Sequence, residues 1–246
     1  MGSFMQVYTD GGGIREARVP DDYSGNGSQP FVLKFPGFRK SLLASLVTSS
    51  TASRTSGVVT ITATAHGVTT GSTYVGFRFF YPGSPSLAAG WYDSITDVQT
   101  NTISFNAPGA NFGSESVNAA AAYTTLTSIT SIIIPANTLR SGSKVTSNLF
   151  RSGDTTATTK NLRNLFGGQQ LGLSGATTTP HGTHKISIYF EDGSALSVAS
   201  QDGVTSNTLP RVAMDLSVDQ TFGISGNVSA AAGFIALHNA TWEIVR

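Results

Sequence analysis

The chain has no cysteine among its 246 residues, which excludes a disulfide framework and any thiolate metal site. Charge is scarce too: 12% of residues are Asp, Glu, Lys or Arg, about half the share of an ordinary globular domain. Fifteen basic side chains nearly balance 14 acidic ones, for a formal charge of +1. Such a chain has no field with which to gather nucleic acid or an anionic membrane. No apolar run approaches the length that crosses a bilayer. The opening MGSFMQVYTDGGG lacks a basic stretch followed by an apolar one, so no signal peptide is expected. Gln6 stands where a myristoylation signal on Gly2 wants Ser or Thr. The expectation is a soluble protein that stays where it is made, or leaves as part of something larger.

What the sequence does contain is hydroxyl groups. Ser and Thr make up about a quarter of it, beside 27 glycines. Threonine suits a pleated, half-buried surface, and serine and glycine suit turns. The mixture points to an all-β protein, long enough to bury a sizeable core.

Four regions follow in order. Residues 1–37 carry Gly11-Gly12-Gly13, Pro20, Gly25-Asn26-Gly27, Pro30 and Pro36-Gly37 around one extended run at Phe31, Val32 and Leu33. They read as a flexible leader, or as an attachment arm that orders against a neighbouring subunit. GGGIREA follows no strand and does not match a dinucleotide fingerprint. Residues 38–56 contain RKSLLASLVTSS, where Leu42, Leu43, Leu46 and Val47 fit a helix but the flanking Ser and Thr fit a strand. Residues 57–108 read as an inserted small β-barrel. Val59, Ile61, Ala63 and Ala65 alternate with threonines, and residues 74–81 (YVGFRFFY) look like an aromatic strand.

Residues 109–246 open with a small, polar link, GANFGSESVNAAAA, and continue with strands at 123–134, 144–150, 160–166, 185–190 and 195–199. Glu191-Asp192-Gly193-Ser194 is a hairpin signal. The closing stretch, 211–246, reads as two or three short strands split by Gly223, Gly226 and Gly233. Its apolar end needs partners on both sides, in the middle of a sheet. About eight strands of this kind fit a jelly-roll-like antiparallel sandwich. No repeat of fixed period is present.

Three strings in this region, 132–139 (IIIPANTL), 161–168 (NLRNLFGG) and 218–245 (VDQTFGISGNVSAAAGFIALHNATWEIV), resemble strings that occur in the same order in jelly-roll structural proteins of tailed bacteriophage virions. The stretch VVTITATAHGVTTG resembles the opening of small β-barrel modules found in phage tail and capsid-accessory proteins. Together the resemblances cover about four-fifths of the chain. Asn164 departs from the pattern, which favours a β-branched or basic residue there. The resemblance implies a non-enzymatic virion protein, assembled in the bacterial cytoplasm: a capsid decoration or head-fibre protein, or a tail or baseplate accessory component. It implies a homotrimer, with other phage capsid or tail proteins as partners. The alternative is a receptor-binding tail protein that recognises host surface carbohydrate.

Residues able to do chemistry are few. His181 and His184 stand three apart in PHGTH, within reach of Glu191 or Asp192 if the hairpin folds back, yet a zinc site needs three or four convergent ligands. His66 precedes a turn glycine and His238 sits in the closing stretch; both read as structural. Gly172-Leu173-Ser174-Gly175-Ala176 approaches a nucleophile elbow but lacks its last glycine. Asp93 with Asp97, or Glu191 with Asp192, could pair for glycoside cleavage, but acids in turns are commoner as turn formers. Phe77, Phe79, Phe80, Tyr81, Trp91 and Tyr92 read first as core and second as a stacking platform for sugars. The sequons at Asn26, Asn227 and Asn239 carry little meaning without a secretion signal. The expectation is no catalytic residue, no metal and no cofactor.

Overall fold

A computed structural model describes residues 4–8, 14–18, 32–35, 39–46, 49–118, 126–154, 160–174, 181–191, 194–201, 204–208, 211–228 and 233–245. Among the described residues the fold is all-β, with one 3-10 turn at Ser72–Tyr74. Strands are numbered in chain order. The first 44 residues contain β1 (Phe4–Tyr8), β2 (Ile14–Arg18), β3 (Val32–Phe35) and β4 (Ser41–Ala44). Next come β5 (Thr51–Thr55), β6 (Val58–Thr62), β7 (Arg78–Tyr81), β8 (Gly90–Tyr92), β9 (Ile95–Gln99), β10 (Thr102–Asn106) and β11 (Phe112–Ser116). The remainder holds β12 (Thr127–Ile134), β13 (Lys144–Gly153), β14 (Lys160–Phe166), β15 (Gln169–Ser174) and β16 (His181–Glu191). It ends with β17 (Ser194–Gln201), β18 (Val204–Thr208), β19 (Val212–Ala213), β20 (Gln220–Val228) and β21 (Phe234–Val245).

Two sheets make the sandwich. The larger runs β18-β17-β16-β13-β21-β4-β7-β8 and the smaller runs β12-β20-β14-β15. Count β4, β12, β13, β14, β15, β16, β20 and β21 as eight successive strands. The larger sheet then contains the order 1-8-3-6 and the smaller 2-7-4-5, which is the double Greek key of a jelly roll. Aromatic rings fill the space between the layers. Phe166 of β14 meets Phe190 of β16 at 5.3 Å between centroids, and Phe222 of β20 meets Trp242 of β21 at 6.4 Å.

The closing strand β21 is central, as its apolar pattern requires. It pairs with β13 on one side and, on the other, with β4 near its start and β3 near its end. The glycines expected to split this region do not all do so, because β20 runs unbroken through Gly223 and Gly226. Gly226 is needed for close packing: a Cβ there would lie 2.9 Å from Ile129 Cδ1 and 3.3 Å from the Asn161 carbonyl. Of the ambiguous stretch, Ser41–Ala44 form strand β4, buried at all four positions, while Val47 lies outside the described residues. A strand covered on both faces loses the alternation that would have identified it.

Within residues 1–37 three strands are described. β1 and β2 pair as a hairpin, and β3 already belongs to the larger sheet. The insert also differs in detail from the barrel expected for 57–108. Its sheet, β11-β5-β6-β10-β9, is open, and it draws β5 and β11 from either side of that range. The cause lies at Ser56-Gly57, both with positive φ (51° and 78°), the two-residue hairpin turn that folds TASRT back onto β6. Within the range, YVGFRFFY is not one strand. Gly76 (φ 82°) breaks it, and β7 begins at Arg78 and joins the larger sheet beside β4 in parallel. The insert sheet packs on this excursion through Phe105, which touches Phe79, Tyr81 and Tyr92 at 5.3–5.5 Å.

Candidate functional site

The stretches 132–139, 161–168 and 218–245 meet at one end of the sandwich. The turn after β12 donates the Ala136 N–H to Asp219 Oδ1 at 2.8 Å, and the Asn137 N–H to the Leu216 carbonyl at 2.8 Å. The turn after β14 donates the Gly167 N–H to the Thr221 carbonyl at 3.0 Å. Gln220 lies over Gly167 so closely that a Cβ there would come within 2.5 Å of Gln220 Oε1. Its amide also donates to the Asp215 carbonyl. These residues satisfy backbone groups in tight turns, so the strings are spent on closing the fold.

A second polar cluster lies where the insert joins the sandwich. Three crossings converge there: residues 39–40 before β4, Gly76 to Arg78 into β7, and Asp93-Ser94 between β8 and β9. They border an open pocket of about 330 Å³ lined by Arg39, Lys40, Gly76, Arg78, Asp93 and Ser94. Arg78 is buried. Its Nε donates to Ser41 Oγ at 2.7 Å, an Nη2 donates to the Ile129 carbonyl, and its guanidinium lies 4.6 Å above the Trp91 ring. Arg39 and Asp93 form an exposed ion pair at 2.5 Å. Lys40 sits 5.4 Å from the Phe77 ring, whose edge meets the His238 imidazole. Ser152 Oγ is hydrogen-bonded to both His238 Nε2 (2.7 Å) and Tyr74 Oη (3.0 Å). This resembles an activated serine, but Ser152 is only 1% exposed. It ties the 3-10 turn to β13 and β21 and offers no nucleophile to a substrate.

The residues singled out from sequence are dispersed. His181 is exposed and His184 buried, on opposite faces of β16. Glu191 lies at the far end of the same strand, paired with Arg211 at 2.5 Å, and Asp192 lies outside the described residues. Among the described residues no three His, Asp or Glu side chains converge on a metal position. Asp93 is held by Arg39, while Asp97 on β9 accepts from the Gln99 amide. Gly172 to Ser174 run within β15, while Gly175 and Ala176 lie outside the described residues. Phe77, Phe79 and Tyr81 are core, whereas Phe80, Trp91 and Tyr92 are half-buried. The indole N–H of Trp91 donates to the Ser128 carbonyl at 2.9 Å, which fastens β8 to β12. Asn227 is half-buried on β20, Asn239 is exposed on β21, and Asn26 lies outside the described residues. Sequence reasoning missed Arg39, Lys40, Arg78 and Ser94. The one available signal was an arginine inside an otherwise aromatic run.

His66 is a satisfied core histidine. Nε2 donates to the Gln99 carbonyl at 2.7 Å, and Nδ1 accepts the Val68 N–H at 3.1 Å. Burial holds its pKa below the usual 6.5, against the upward pull of the Gln99 and Thr102 carbonyls. Burial does the same at His238, helped by the charges of Lys40 and His181. The unfolded chain therefore takes up protons near pH 6.5 that the folded chain accepts only at lower pH. Stability is fully present above that value and is expected to fall as pH drops through it. Thermal midpoints at about pH 7.5 and 5.5 check the sign. His66→Gln should shrink the difference, and an unchanged difference would remove His66 as its source.

No protein family matches the chain, and no curated protein matches it. Among solved structures, it aligns with the insecticidal delta-endotoxin Cry8Ea1 of Bacillus thuringiensis at 12% identity and a TM-score of 0.29, covering 84% of this chain and 42% of the toxin. It aligns with an engineered GH43 glycoside hydrolase, described as having endo-xylanase and exo-arabinofuranosidase activity, at 8% identity and a TM-score of 0.29, covering 79% of this chain and 64% of the enzyme. The chain thus spans less than two thirds of either protein. Scores this low carry no argument about its fold or activity.

Proposed function

We propose that the chain is a non-enzymatic structural subunit of a tailed-bacteriophage virion, either a capsid decoration or head-fibre protein or a tail or baseplate accessory component. It acts by assembling with its own copies, as a trimer, and by docking on other capsid or tail proteins. The observation that carries the reading is the convergence of the three virion-like strings on one interlocked end of a jelly roll. A residue pattern spent on turns and strand pairing belongs to a scaffold. The outer face of the larger sheet suits subunit contact, because it sets exposed Phe150 and Tyr189 among Asn148, Thr183 and Lys185 with few ions to desolvate. Assembly through such a face should depend only weakly on salt.

The test is particle incorporation. Deletion of residues 1–31 removes β1 and β2 but spares β3, which pairs with β21 in the larger sheet. The truncated protein should fold and form its oligomer yet be missing from purified particles. Normal incorporation would refute the anchoring role of that segment, and absence of the full-length protein from particles would refute the virion reading. The second reading, a receptor-binding protein for host carbohydrate, is favoured by the polar cavity at the junction and by half-buried Trp91 close to it.

A further inference from the structure

We propose that the junction cavity is a binding site for one acidic sugar residue, a hexuronic acid or a similar carboxylate bearing adjacent hydroxyls. Arg39, Lys40 and Arg78 set three cations around it against the single carboxylate of Asp93. In a chain of net charge +1, that is a local concentration of positive charge inside a concave wall, where field lines are focused. Arg78 supplies a fixed charge at the base, because Ser41, Ile129 and Trp91 hold its guanidinium in place. Arg39 and Lys40 are exposed. The Arg39–Asp93 pair is a surface pair, which costs little to rearrange, so Arg39 can turn its planar fork to an incoming carboxylate.

Two features favour a hydroxylated acid over a bare anion. The Asp93 carboxylate can accept hydrogen bonds from sugar hydroxyls, of which an acidic sugar carries several. Ser94 brings a hydroxyl beside it on a backbone held at φ 64°. A non-glycine residue in that region is strained, and such strain persists where surrounding structure fixes it, often at ligand sites. Here the Ser94 carbonyl accepts the Asn106 N–H at 3.1 Å, and neighbouring Ile95 donates its N–H to the Phe77 carbonyl at 2.7 Å. The volume, about 330 Å³, is at the small end for ligand pockets, which suits a single ring.

The proposal does not depend on the virion reading, because the cavity belongs to the isolated chain. Its test is titration of the full-length protein with galacturonic acid, galactose and inorganic phosphate, followed by NMR. Galacturonic acid should bind with a Kd on the order of 1 mM, galactose and phosphate at least about tenfold more weakly. Arg39→Ala with Lys40→Ala, both on the surface, should weaken galacturonic acid about tenfold or more while leaving the thermal midpoint unchanged. Phosphate binding as tightly as galacturonic acid would reduce the site to a plain anion patch. Unchanged binding in the double variant, or no binding of galacturonic acid, would overturn it.

Discussion

Lys160→Met is expected to destabilise the protein by about 3–5 kcal/mol. Lys160 and Asp154 form an ion pair at 3.0 Å with side chains only 2% and 5% exposed. They stand at the two ends of the connection between β13 and β14. The ammonium group also donates to the Asp154 carbonyl at 2.6 Å, and Asp154 Oδ2 accepts the Phe234 N–H at 2.9 Å. The carboxylate therefore joins β13 and β14 to the start of the central strand β21. Removing the lysine charge leaves a buried carboxylate with its principal partner gone, and burial of an uncompensated charge sets the size of the effect. Asp154→Asn combined with Lys160→Met should recover most of the loss, because the amide oxygen can still accept from Phe234 and no charge remains. Urea titration of both variants measures this. A loss below about 1 kcal/mol for the single variant would show that the pair is solvated in practice.

The same pair shows where sequence reading stops. Lys160 and Asp154 are each polar residues beside a loop, with nothing in their spacing to reveal burial. The strands around them were legible, because apolar alternation in 144–150 and 160–166 survives when one face meets the core. The hairpin at 191–194 was legible too, from Asp-Gly between two extended runs, and Glu191 does pair with Ser194. β4 was ambiguous because both of its faces are covered. β5 and β11 were not read as strands because both are polar: β11 is an edge strand with no buried side chain, and β5 buries only Ala52 and Arg54. At the junction cavity the limits were more severe. Arg39, Arg78 and Asp93 come from segments 15 to 54 residues apart, and a site built at crossings between sheets leaves no local pattern in the chain.

Phe166→Ala should cost about 3–5 kcal/mol, the range for deleting a fully buried aromatic ring. Phe166 is wholly buried and contacts Phe190 at 5.3 Å and Phe222 at 5.8 Å, and Phe222 in turn meets Trp242 at 6.4 Å. Phe166 and Phe222 belong to the smaller sheet and Phe190 and Trp242 to the larger, so the truncation opens a void in the layer that holds the jelly roll together. Phe166→Leu should lose far less, because it refills part of that volume. The two tryptophans make the effect local to read. Trp242 lies in the ring chain, while Trp91 lies at the junction under Arg78. In a Trp91→Phe background, fluorescence reports the sandwich alone. If sandwich and insert unfold as one unit, as their continuous core implies, circular dichroism and Trp242 fluorescence should shift together in Phe166→Ala. If fluorescence shifts and part of the dichroism change does not, the insert sheet keeps its structure without the sandwich.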